Sequence, residues 1–288
     1  METALVLAAV SGVCWALNII AVRWALPRTG APALIGAVVG ISVAAVVALV
    51  IAIASGSTGP STGDFWRFAL VGAIAPGSSQ GLFVASIGSI GPARSSVLVG
   101  TAPMFSMFGA IAFLDESWSA IIVVGTLLTV AGGALIGWEP GQSWRRFGVV
   151  YAIAAALTFA ARDVVASSFG SDSDVSAWWS GALVLGAAAI VLMGIVAVSP
   201  ERRRIRVGVT AALPEFVASG VAIGLALPLL LAALERGRVG AVAPLSNAVQ
   251  NLTVVVLAGI FFGVQERTPR VLAALAMVVV GGALITAA

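Results

Sequence analysis

The chain has 288 residues, 60% hydrophobic and 9% charged, with a formal net charge of +3 and a mean hydropathy of +1.11, whereas a soluble domain is about half apolar and about a quarter charged. It holds no His, a single Cys (Cys14), and 15 basic residues, all of them Arg. These absences exclude a Walker A lysine, a Schiff base, a Ser-His triad and imidazole ligation of haem or zinc, so ATP-driven and light-driven pumping are set aside and no cofactor or metal is expected.

Crossing a bilayer takes about 20 predominantly apolar residues per helix. The chain supplies such runs over 4–26, 32–54, 65–87, 92–114, 119–138, 147–168, 175–198, 213–234, 239–262 and 269–287, separated by short polar or Gly/Pro breaks. The expected fold is an all-α membrane protein of ten transmembrane helices. The first run opens with Glu2 rather than a basic region and exceeds a signal-peptide core, so it reads as a retained helix. No break is long enough for a soluble domain.

In chain order, the first span places Trp15 and Asn18 at mid-depth, where an interfacial aromatic belt does not account for a Trp. The third is interrupted by Pro76, Gly77, Ser78, Ser79 and Gln80, which predicts a kink near the membrane midplane; Pro103 and Pro228 invite the same reading, and a static kink is the bland alternative. Glu116 and Glu266 stand at helix starts, where a carboxylate favours the N-terminal dipole, with a gate role as the alternative. The pairs Gly36/Gly40, Gly77/Gly81 and Gly220/Gly224 are assigned to close helix packing.

Arg162 and Asp163 are the charged groups well inside a span, where each costs roughly 2.5 to 3.5 kcal/mol on insertion scales. Adjacent residues on a helix point about 100° apart, so the two are not expected to pair with each other. Arg162 is expected to fix an anionic group of a solute, or else to pair with Asp172 or Asp174. Asp163 is the candidate for proton coupling. A sixth helix ending near Ala161 would instead leave both at the interface. Trp178 and Trp179 suit an aromatic belt. In the ninth span Ser246, Asn247, Gln250, Asn251 and Thr253 form a polar arc that lipid cannot face. It is either a cavity wall or interhelical glue worth about 0.6 kcal/mol per bond.

The two halves of the chain echo one another. IAFLDESW before the fifth span sets Glu116 opposite Glu266 in IFFGVQERT; GGALI occurs at 132–136 and 281–285; ASIGSIGPA from Ala85 aligns with LERGRVGAV from Leu234, matching Gly88 to Gly237 and Gly91 to Gly240. Two units, 1–140 and 141–288, each of five helices, follow. Because five is odd, the second unit enters the bilayer inverted.

WALN at Trp15 to Asn18, GPARSSVLVGTAPMF from Gly91, the FLDES junction and the Gly-rich fifth and tenth spans together resemble the EamA-type, ten-helix branch of the drug/metabolite transporter superfamily. The resemblance implies an exporter or facilitator of amino acids, drugs, sugars or other metabolites, with its site between the repeats and its termini inside. FAAR, Phe159 to Arg162, departs from it by placing Arg162 where the first unit has Asn18.

The expectation is a secondary transporter or exporter of small metabolites working by alternating access in the cell membrane, with substrate-binding residues Trp15, Asn18, Gln80, Arg162, Ser246, Asn247, Gln250 and Asn251. Its partners are a small-molecule solute and the lipid bilayer. Nucleic acid is not expected, because the Arg residues flank the spans. The alternative is a non-transporting membrane receptor or assembly factor; an enzyme would want paired carboxylates or a nucleophile with its base, which the interior lacks. Eleven Arg residues fall in breaks opposite the termini (23, 28, 94, 145, 146, 202, 203, 204, 206, 267, 270) and three, Arg67, Arg236 and Arg238, on the terminal side. The positive-inside rule then puts the termini outside, against the family resemblance.

Overall fold

The computed structural model describes residues 2–29, 32–57, 59–117, 119–137, 145–171, 173–204, 213–262 and 269–287, and all regular structure among them is helical. The segments are α1 (Glu2–Thr29), α2 (Ala33–Ala54), α3 (Thr62–Ile90), α4 (Pro92–Val99 and Ala102–Phe113), α5 (Ala120–Gly137), α6 (Arg146–Ser171), α7 (Ala177–Val198), α8 (Leu213–Arg236), α9 (Val239–Phe262) and α10 (Pro269–Ala287). Eight are long and apolar enough to cross a membrane, and α5 and α10 carry shorter apolar helices. Each apolar run of the sequence is thus helical, as hydrocarbon requires of any segment that must satisfy its own backbone.

Local chemistry sets the ends and the breaks. Ser61 opens α3 through a capping box with Asp64, and Ser176 caps α7. α3 is broken at mid-length: Ala73–Ser78 form a wide turn in which Ala75 is extended (φ −153°, ψ 132°) next to Pro76, so the expected kink is a full interruption. α4 is interrupted between Val99 and Ala102, where the Thr101 hydroxyl donates to the Leu98 carbonyl at 2.6 Å. Pro103 stands in the first turn of the second piece, where its missing N–H costs nothing. α8 runs through Pro228 without a break.

α1 packs on α8 and α9, α2 on α7 and α8, α3 on α6 and α7, α4 on α6 and α9, and α5 on α10. This pattern is unchanged when each of the first five segments is exchanged with the one five places later. Small residues make the closest crossings. A Cβ on Gly220 would lie 2.7 Å from the Gly40 carbonyl oxygen and one on Gly224 2.9 Å from that of Ala44, so the glycines of α8 lie against the α2 backbone, while Gly36 of α2 faces the Phe216 ring. Gly125 of α5 meets the Gly281 backbone of α10 in the same way. Leu185 and Leu192 of α7 and Leu227 and Leu231 of α8 are fully buried, whereas Ile53, Ile190 and Ile260 point outward, as a lipid-facing surface requires.

A candidate solute site in a central cavity

A cavity of about 420 Å³ lies at the centre of the bundle, walled by α1, α3, α4, α5, α6, α8 and α9. Trp15, Asn18, Gln80, Arg162, Asp163, Ser246, Asn247, Gln250 and Asn251 all line it. Helical spacing brings them there: on α9 the residues at 246, 247, 250, 251 and 254 form one stripe, and on α1 those at 15, 18 and 19 form another. Thr253, expected on the polar arc, is not part of the wall; the stripe continues through Val254 instead. The structure adds Phe83, Ser96 and Phe159, whose apolar or weakly polar character gave no sequence signal.

Arg162 and Asp163 form an ion pair, contrary to the angular expectation. Arg162 donates from Nε at 3.0 Å and from Nη2 at 2.8 Å, both to Asp163 Oδ1. The 100° separation applies to Cα–Cβ directions; the long Arg side chain curls around the helix and reaches its neighbour. Both residues are buried, and α6 continues past Ala161 to Ser171, so neither lies at a frayed end. Asp163 Oδ2 accepts from the Ser106 hydroxyl of α4 at 2.8 Å, and the Arg162 guanidinium lies 5.3 Å from the centroid of the Phe159 ring. Of the alternative partners, Asp174 is exposed and Asp172 lies outside the described residues. The cavity wall therefore carries one positive and one negative group, paired and hydrogen-bonded as burial demands.

The uncharged groups are also held in place. Asn18 Oδ1 accepts from Ser219 Oγ of α8 at 2.6 Å, and Asn251 Nδ2 donates to Asn247 Oδ1 one turn back at 3.0 Å. By valence this leaves the Asn247 amino group and the Asn251 carbonyl for another partner. Among the described residues no group of three or more metal-ligating carboxylate, Cys or His side chains occurs.

At the terminal end of the bundle a contact joins the α4–α5 junction to the start of α9. Glu116 does not cap α5; its carboxylate accepts from the backbone N–H of Val239 at 2.6 Å and of Gly240 at 3.1 Å, the start of α9. Those N–H groups have no partner inside their own helix, and the α9 dipole reinforces the bond. Arg238 donates from Nη2 to the Ser117 carbonyl, and its Nε lies 3.9 Å from Glu116 Oε2. Ser119 stands instead at the start of α5, its hydroxyl accepting from Ile122 N at 3.4 Å. Glu266 lies outside the described residues. Ser96 near the start of α4, Gly133 late in α5 and Val254 late in α9 carry the cavity toward the opposite end, where Ser96 is exposed. Trp179, expected in an interfacial belt, donates from Nε1 to the Ser57 carbonyl at 3.2 Å.

A second cavity, of about 700 Å³, lies between the outward faces of α4 and α6 and is lined by Phe105, Phe108, Gly109, Ala112, Phe113, Leu114, Leu157, Ala160, Ala161, Val164, Val165, Ser168 and Phe169. It is larger than the central cavity but almost wholly apolar, and it contains none of the candidate residues.

A bundle of apolar helices closed around a polar chamber defines a multi-pass membrane protein of the kind that handles small solutes. Residues 2–138 match the model of the EamA-like transporter family, which belongs to the drug/metabolite transporter superfamily. A solved crystal structure superposes with a TM-score of 0.80 at 18% identity, over 98% of this chain and 98% of its own; at that identity the likeness carries the fold alone. Comparison with curated protein sequences gives no match.

Proposed function

We propose that the protein is a secondary transporter that exports a small polar metabolite across the cell membrane by alternating access, and that the central cavity is its solute site. The observation that carries this reading is the convergence of nine polar or aromatic residues from α1, α3, α6 and α9 on one chamber. The echoes in the sequence and the exchangeable packing pattern support two inverted five-helix units, 1–140 and 141–288. On this reading the Glu116 contact closes the terminal end while the chamber is open at the other. The breaks in α3 and α4 then serve as the points where the helices bend.

The solute would meet a chamber of zero net charge. Arg162 has five N–H donors, two of them spent on Asp163; the other three serve a solute oxygen, such as one of a carboxylate, which would compete with Asp163 for the guanidinium. Trp15 and Phe159 supply apolar walls, and Gln80, Gln250 and Asn251 orient polar groups. Where transport is coupled to protons, Asp163 carries the proton, and its neutralisation frees Arg162. Energy then comes from the solute or proton gradient.

The test is a metabolite-wide export comparison of cells with and without the gene, followed by counterflow of the solute found in proteoliposomes, using wild type and Gln250→Leu. Saturable movement by wild type and its loss in a folded variant are expected. Failure of any solute to move would favour a receptor or assembly role.

A further inference from the structure

The outward groove between α4 and α6 plays no part in the proposed transport chemistry. Its floor is made of small residues, Gly109 and Ala112 on α4 and Ala161 on α6, and its rim of Phe108, Phe113 and Phe169. Phe113 is 80% exposed and Phe108 48%, so the groove opens outward rather than into the bundle. In a bilayer such a cleft is filled by hydrocarbon, because an empty one forfeits contacts along its whole wall.

The dimensions and a positive charge at its mouth narrow the occupant. The α6 wall runs from Leu157 to Phe169, about 18 Å of helix at ~1.5 Å per residue, which is close to one leaflet, half of the ~30 Å hydrocarbon core. Its Phe169 end lies toward the terminal side, and there the guanidinium carbon of Arg67 sits 5.5 Å from the centroid of the Phe169 ring. Arg67 follows the exposed pair Phe65 and Trp66 at the start of α3, side chains that suit the depth of the headgroups. Its obvious partner three residues earlier, Asp64, is committed to the backbone and hydroxyl of Ser61. Among the described residues no carboxylate pairs with Arg67.

We infer that this groove is a phospholipid site, holding one acyl chain along α4 and α6 with the lipid phosphate bound by Arg67. A guanidinium presents a fork of donors suited to phosphate oxygens, and the chain of the same molecule reaches down the cleft that the guanidinium overhangs. The opposite faces of α4 and α6 carry Pro103, Phe159 and Asp163 into the central cavity, so the lipid would wedge the same two helices that wall the chamber.

The experiment is native mass spectrometry of full-length protein released from phosphatidylcholine vesicles containing equal small amounts of phosphatidylglycerol and of diacylglycerol with the same chains. Wild type should retain phosphatidylglycerol over diacylglycerol. Arg67→Gln should lower that preference about fivefold, the contribution of one basic residue near anionic lipid. Ala112→Trp, on an exposed position of the groove, should cut retention of both lipids, with Ala161→Phe as a second filling variant and helix content checked for each. Persistence of the preference in Arg67→Gln, or undiminished retention in both folded filling variants, would overturn the assignment.

Discussion

Ser106 of α4 donates a 2.8 Å hydrogen bond to Asp163 of α6, so the ion pair in the cavity wall is tied to a helix from the other half of the chain. Removing either member of the pair strands the other as a buried charge. Arg162→Gln and Asp163→Asn alone should each destabilise the protein by about 3–5 kcal/mol, and the double substitution should recover most of that loss. Thermal unfolding in detergent measures all three; additive losses in the double variant would mean that the two residues are not coupled.

The wall of α9 is mapped by single cysteines in a Cys14→Ala background. Gln250→Cys and Val254→Cys should react with a membrane-impermeant thiol reagent on the order of ten times faster than Thr253→Cys, since reaction needs a hydrated thiolate. Equal rates at the three positions would place Thr253 on the chamber as well.

Glu116 holds the start of α9 from across the bundle. Glu116→Ala should cost about 0.5–2 kcal/mol, the range for losing a helix cap, and Glu116→Gln less, because the amide keeps one acceptor. A cysteine at Ala243, on the chamber wall nearest that end, should become more accessible to reagent applied from the terminal side in either variant. Unchanged accessibility would make the contact a static cap rather than a closure.

The crossing of α2 and α8 tolerates no side chain where backbone meets backbone. Gly220→Leu should destabilise by at least the ~1–3 kcal/mol typical of overpacking, because a Cβ there meets the Gly40 carbonyl. Gly186→Leu, with open space at its Cβ, should be near neutral. Comparable melting losses for the two would show that the crossing is looser than drawn.

Ten crossings would put both termini in one compartment; the Arg distribution points to the outside and the family resemblance to the inside. Reporters fused to each terminus should agree with each other; disagreement would remove one span from the count. A shared inside reading would show that the charge bias is overridden.

What the sequence determined by itself follows from the solvent. A bilayer core accepts apolar helices and little else, so the apolar runs located the ten segments, and strongly polar side chains at mid-span were expected to face protein or a cavity rather than lipid. That is why Trp15, Asn18, Gln80, Arg162, Asp163 and the α9 residues 246, 247, 250 and 251 could be picked out before any contact was known, and why all of them line one cavity. Glycine spacing likewise marked the faces of α2 and α8 that meet.

Tertiary structure decided the partners. Helical periodicity fixes the angle of a residue about its own axis, but not which neighbouring helix stands at that angle nor how a flexible side chain bends. Hence Arg162 turned to Asp163 rather than away from it, Glu116 capped α9 instead of α5, and Thr253 fell outside the stripe that Val254 completes. Ser106 and Ser219, which anchor Asp163 and Asn18, look in the sequence like any hydroxyl in an apolar helix. Only the placement of α4 and α8 beside α6 and α1 gave them a role.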